Sequence, residues 1–295
     1  MRLAIPDLIS NSYFPAIAAV ELGCFHDQGL DVDLELLFPV TRTMQALRDG
    51  QLDLVAGAAH ATLSAFPEWR GARVLAAVAQ RMYWLLVLRA DLSAERGNLS
   101  VLRGLRIGAA PGPDAGLIRL LAEVGVDGVQ VGPIPGTDAP GVSFGVTAAR
   151  ALEAGQLDGF WANGMGAEVA VRRGVGTVLL DVRRGEGPPA AWSYTFPALV
   201  ATERLDSPTM AAAARALVQA QELLRDDPER ATAIGERLFP PMEAGLIADL
   251  IRRDLPYYDP SISRDTFAAL NQFAREVGLP AGDPVYDEVV WHAQS

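Results

Sequence analysis

Short apolar runs alternate with longer segments of mixed character over the first two thirds of the chain, the pattern of strands alternating with helices. The first series predicts strands at 2–6, 31–37, 53–56 and 73–79, with helices at 13–28, 41–48 and 59–66 between them. In the second of these strands Val32, Leu34 and Leu36 alternate with Asp31, Asp33 and Glu35, as expected near a sheet edge. A second series repeats the order, with strands at 105–109, 129–133, 157–162 and 177–181 and helices at 114–124, 147–154 and 167–173. Helices between successive strands favour parallel pairing with helices on both faces of a sheet.

One phrase occurs twice. Ala46-Leu47-Arg48-Asp49-Gly50-Gln51-Leu52-Asp53 returns 105 residues later as Ala151-Leu152-Glu153-Ala154-Gly155-Gln156-Leu157-Asp158. Each copy closes a helix on a glycine, which tolerates the left-handed position, and then opens an apolar strand. Two such corners predict two similar α/β lobes with a ligand site between them. Two apolar stretches, 83–89 and 192–201, fall outside the repeat and are expected as paired hinge strands. That division gives one lobe of residues 1–84 and 190–295 and another of 85–189. From Ser207 the pattern turns helical, at 209–224, 228–237, 243–253 and 264–277. Ser207-Pro208 and Asp227-Pro228 each supply a cap followed by proline.

Composition removes several functions. All 25 basic residues are arginine, so no lysine is present to form a Schiff base, and covalent pyridoxal phosphate chemistry is excluded. A formal charge of −11 with scattered arginines argues against nucleic acid. The single Cys24 allows neither an internal disulfide nor a cysteine cluster, and His26, His60 and His292 lack metal-ligand spacing. No metal and no cofactor is expected. No apolar run is long enough to span a membrane. Met1 leads directly into a strand without a basic, apolar leader. The expected place is therefore cytoplasmic if Met1 is the native start, and periplasmic or otherwise extracytoplasmic if a signal peptide preceded it.

Ligands of parallel α/β lobes gather at the carboxyl ends of strands, and this rule selects the candidate residues. The first strand leads to Asn11, Ser12 and Tyr13, the second to Thr41 and Arg42, the third to His60. Thr41 and Arg42 open a helix, where backbone N–H groups and a guanidinium suit an anion; capping and solvation are the structural alternative. His60 offers one hydrogen-bonding ring, and acid–base work only if the chain is an enzyme. Arg81 and Tyr83 enter the first hinge stretch, Trp192 and Tyr194 the second, as an anion partner and ring surfaces or as interlobe packing. From the second series come Asp114, which also reads as a helix cap, Ser143, and Trp161 with Asn163 at the second copy of the repeated corner.

Several segments resemble one family. Pro15-Ala16-Ile17-Ala18-Ala19, Glu21-Leu22-Gly23-Cys24-Phe25 and Gly29-Leu30-Asp31-Val32 are similar to the opening helix and turn of the sulfonate-, nitrate- and thiamine-precursor-binding (SsuA-like) group of type II periplasmic-binding-like proteins. The first copy of the repeated phrase, Leu102-Arg103-Gly104-Leu105-Arg106-Ile107-Gly108 and Phe273-Ala274-Arg275-Glu276-Val277-Gly278-Leu279 resemble its later motifs. The resemblance implies a two-lobed α/β fold with mostly parallel sheets, two hinge strands and a helical C-terminal tail. It also implies a monomer that clamps a small anionic or aromatic ligand for an ABC permease. Some relatives are cytosolic enzymes, among them the pyrimidine synthase of thiamine biosynthesis; Gly57 stands near the place of its lysine, while His60 falls near the family's histidine. Solute binding, and an enzyme or ligand sensor on the same fold, both remain open on sequence grounds.

Overall fold

The computed structural model describes residues 1–137 and 143–292. Its strands are β1 Arg2–Ile5, β2 Asp33–Leu36, β3 Leu54–Ala58, β4 Ala72–Ala77, β5 Leu85–Arg89, β6 Arg106–Ala109, β7 Gln130–Gly132, β8 Gly159–Ala162, β9 Gly176–Asp181 and β10 Pro197–Thr202. The helices are α1 Phe14–Glu21, α2 Cys24–Asp27, α3 Val40–Arg48, α4 Pro113–Glu123, α5 Phe144–Glu153 and α6 Gly164–Arg172. They continue with α7 Ser207–Asp226, α8 Arg230–Leu238, α9 Pro241–Asp254, α10 Arg264–Glu276 and α11 Tyr286–Val289.

Two five-stranded sheets form, ordered β2-β1-β3-β10-β4 and β7-β6-β8-β5-β9. Three strands of each pair in parallel, and the fourth in each order is antiparallel to both its neighbours. The two sheets thus repeat one plan. The apolar hinge stretches differ from expectation: β5 and β10 do not pair with each other, and each is built into the sheet the chain has just entered. Between them the crossing segments share the bond from Met82 N to Trp192 O, 3.0 Å. Two further boundaries shift. The expected helix at 13–28 breaks at Gly23, whose φ of 76° lies in the left-handed region, and the turn after β3 is a 3-10 helix, Ala59–Ser64.

The repeated phrase has one physical explanation in both places. Gly50 and Gly155 take φ of 75° and 69° after α3 and α5. Gln51 N bonds Ala46 O at 2.9 Å and Gln156 N bonds Ala151 O at 3.0 Å, while Gly50 N and Gly155 N reach Leu47 O and Leu152 O, so both corners are Schellman motifs. The closing aspartates then accept the amide that opens the neighbouring strand: Arg2 N to Asp53 Oδ2 at 2.7 Å, and Arg106 N to Asp158 Oδ2 at 2.9 Å.

Helices α7, α10 and α11 pack on the first half, on α1, α2, β4 and the 3-10 turn after β3, whereas α9 also reaches α6 of the second half. Helices α5 and α6 cross closely: a Cβ on Gly166 would lie 2.6 Å from Gly145 O, backbone against backbone. Gly166→Ala is therefore expected to lower stability by about 1–3 kcal/mol, as overpacked sites do, read from urea denaturation.

Candidate functional site

Loops at the carboxyl ends of strands from both sheets meet in one buried seam. Beyond β1 come Asp7 and Ser10 to Tyr13, beyond β2 Phe38 and Thr41, and beyond β3 His60. Facing them are Gly112 and Pro113 beyond β6, Ser143 and Phe144 at the start of α5, and Asn163 and Gly164 beyond β8. Asn163 Nδ2 donates to Asp7 Oδ2 at 3.0 Å, while its Oδ1 accepts Gly166 N and so caps α6. Met165 N donates to Asn11 Oδ1 at 3.0 Å. The Ser143 hydroxyl reaches Ile9 O at 3.4 Å, and Phe38 stacks on Phe144 with centroids 6.1 Å apart.

His60 is locked in one neutral tautomer. Its Nε2 meets the carbonyl of Gly112 at 3.0 Å, and a carbonyl only accepts, so Nε2 carries the proton. Nδ1 then accepts from the Thr195 hydroxyl at 2.9 Å. Burial pushes the imidazole down to about 4, with the Gly112 carbonyl opposing part of that shift. The ring sits edge-on to Trp84 and Phe273. Trp84 packs on Trp161, whose Nε1 donates to Pro113 O at 3.1 Å, and Tyr83 shares a 3.0 Å hydroxyl contact with Tyr13.

Asp7 is fully buried, and desolvation raises its carboxyl to about 7; hydrogen bonding, with Asn163 the donor, offsets only part of that. Asp7 Oδ1 and Ser12 Oγ lack hydrogen-bond partners. At one end of the seam Asn11 Nδ2 donates to Asp254 Oδ2 at 2.7 Å, and Arg183 Nη1 meets Asp254 Oδ1 at 2.7 Å. Arg253 and Glu168 bridge the same edge at 2.8 Å. A cavity of about 140 Å³ opens there between Asn11, Tyr83, Gly164, Arg183 and Asp254.

The structure gathers Asn11, Ser12, Tyr13, Thr41, His60, Tyr83, Ser143, Trp161 and Asn163 at or directly beneath this seam. Five expected residues stand elsewhere. Arg42 is exposed, because α3 buries Val40, Thr43, Met44 and Leu47 on the opposite face. Arg81 is exposed, with its guanidinium 3.4 Å from the Trp192 ring centroid, so the two cover one another beside an open groove that Gln80 and Tyr257 also line. Tyr194 is buried, but it stacks on Phe273 at 4.7 Å and gives its hydroxyl to Glu123. Asp114 is half-buried in the first turn of α4, where its Oδ1 takes the amides of Gly112 and Ala115. Sequence reasoning passed over Asp7, Thr195, Arg183 and Asp254. Asp7 lies two residues past β1 and meets the strand-end rule; the other three carry no local signal.

No family profile and no curated protein matches the chain. Solved structures do. The alkanesulfonate-binding protein SsuA from Xanthomonas axonopodis pv. citri, bound to MOPS, is 16% identical with a TM-score of 0.74, over 99% of this chain and 98% of that one. The periplasmic nitrate-binding protein NrtA from Synechocystis PCC 6803 is 16% identical with a TM-score of 0.72, over 98% and 85%. A point mutant of DszB in complex with biphenyl-2-sulfinic acid is 16% identical with a TM-score of 0.65, over 96% and 94%. The chain has the two-lobed α/β fold of periplasmic binding proteins, and its structural neighbours include the sulfonate- and nitrate-binding proteins its motifs resemble. At these identities the likeness establishes the fold. No helix among the described residues is long and apolar enough to cross a membrane.

Proposed function

We propose that the chain is a solute-binding protein that clamps a small ligand between two lobes, residues 1–84 with 190–295 against 85–189, and delivers it as a monomer to an ABC-type importer in the periplasm. The observation that carries this reading is the set of bonds across the seam: Asp7 to Asn163, Asn11 to Met165, and His60 to Gly112. Each joins a strand-end loop of one sheet to a strand-end loop of the other. Each contributes on the order of 1 kcal/mol, so a ligand touching both halves can shift the balance between open and closed forms. The names of the structural neighbours favour an anionic ligand, such as a sulfonate or nitrate.

The test is small-angle scattering with a thermal-shift screen of sulfonates, nitrate and aromatic carboxylates. A ligand is expected to raise the melting temperature and hold the compact form, and Asn11→Ala with Asn163→Ala to expand the protein until that ligand is added. A radius of gyration indifferent to both would overturn the clamp.

An enzyme on the same fold draws on one observation, the Asp7 carboxyl held near neutrality inside the seam, where it can give or take a proton. His60 is less suited, since both ring nitrogens are engaged. Turnover of a bound compound that Asp7→Asn abolishes while binding survives would carry this second reading.

A further inference from the structure

Asp7 stands where the two halves touch, two residues past β1, and none of its surface is exposed. Its Oδ2 accepts one bond, from Asn163 Nδ2 beyond β8, and its Oδ1 has no donor. No charged group holds it; burial and hydrogen bonding alone set its state. The packing around these loops is close. A Cβ on Gly164 would stand 3.0 Å from Asn11 Nδ2, across the seam, and one on Gly145 would stand 3.0 Å from Asn163 Oδ1. A carboxylate shut away with one donor and no cation is costly, whereas the protonated acid is a neutral group of the same shape.

Opening the seam reverses that balance. Parting the halves takes Asn163 away and admits solvent, so the carboxyl titrates near its ordinary 3.8, against about 7 in the closed seam. The other groups of the seam change little between those values. Tyr13, beside Asp7 at the head of α1, stays a neutral phenol, as does Tyr83 against it, both pushed up by burial. The second half presents Ser143, Gly145 and Asn163 to Asp7, none of them ionisable. His60, held down to about 4, is neutral over most of the interval. Arg183 and Asp254 form their own pair, and Asp114 Oδ1 is spent on amides of its own turn.

We propose that closing the seam binds a proton at Asp7, which makes the proton a co-ligand of the clamp: acid holds the halves together, and they part more readily as pH rises to neutrality. This proton site rests on the clamp reading and adds its regulation. A neutral Asp7 also sets no fixed negative charge against an anionic ligand, so ligand and proton favour each other's binding.

Hydrogen exchange of the Met165 amide tests it. That amide lies in the first turn of α6, where it lacks a helical acceptor, and it is bound across the seam to Asn11 Oδ1. It therefore exchanges when the halves part, even if the open form is rare. Corrected for the intrinsic rate, its protection in the ligand-free wild type should fall about 100-fold from pH 5 to pH 8, most of it below pH 7, where the closed form begins to give up its proton. Asp7→Asn, neutral at every pH, should keep a constant protection over that range. If Asp7→Asn fails to fold, carbon-13 titration of the wild-type Asp7 carboxyl decides the matter: an inflection near 7 supports the proton site, and one near 3.8 overturns it.

Met165 protection that stays level from pH 5 to pH 8, that falls equally in Asp7→Asn, or that is already absent at pH 5 overturns the proposal. Scattering separates it from the clamp. A ligand that compacts the protein equally well at pH 5 and pH 8 leaves the clamp and removes the proton. Protection that follows pH as expected, with no ligand of the screen able to compact the protein, leaves the proton site and removes the clamp.

Discussion

Relative to the wild type, Asp7→Asn gains stability as pH rises from 4 to 7, by on the order of 4 kcal/mol, and His60→Gln loses stability as pH rises from 4 to 6.5, by on the order of 3 kcal/mol. The signs follow from which state holds the proton. The Asp7 carboxyl titrates near 7 in the folded protein and near 3.8 when unfolded, so its contribution is full below about 3.8 and lost as pH climbs through 7. His60 runs the other way, with a folded value of about 4 against 6.5, so its contribution is full above 6.5 and lost as pH falls toward 4. In the wild type the two slopes oppose each other between pH 4 and 6.5. Removing either group exposes the other. Urea denaturation at fixed ionic strength across this range reads both differences. A flat difference profile for Asp7→Asn would mean that its carboxyl meets water in the native state. Because Asp7 and His60 each bond to the opposite half, the same profile is a chemical reading of whether the seam is closed.

Asp254→Ala should cost about 3–5 kcal/mol, the range for breaking a buried pair and stranding one charge. Both side chains are nearly inaccessible, 6% exposed for Arg183 and 9% for Asp254, and the loss also frees Asn11 Nδ2. Adding Arg183→Met to Asp254→Ala should cost less than the sum of the single changes, because the second removes the charge that the first left uncompensated. A double-mutant cycle in urea measures this coupling. Additive costs would show that the arginine finds other partners once the aspartate is gone.

Part of the seam could be read before any coordinates. Asn11, His60 and Asn163 follow from a single rule about strand ends, and they meet because chain direction alone decides which loops of parallel strands gather at one edge. Arg42 shows the rule's limit. A helix N-terminus at the right edge still has an outer face, and the helical spacing of Val40, Thr43, Met44 and Leu47 turns Arg42 onto it. The aromatic residues and the arginine of the two crossing segments read equally as ligand contacts and as packing, and sequence could not choose between them. The ring of Tyr194 and the guanidinium of Arg81 are claimed by Phe273 and Trp192, from other parts of the chain.

The order of elements and the two matching helix-to-strand corners were determined by the sequence itself. They depend on φ-tolerant glycines, on caps and on apolar period, which act over a few residues. The insertion of β5 and β10 into opposite sheets, the near-neutral carboxyl of Asp7 and the burial of Arg183 against Asp254 were decided only by the tertiary structure. An apolar run does not name the strand it will lie beside, and a side chain's charge state is set by how completely the distant half of the chain excludes water from it.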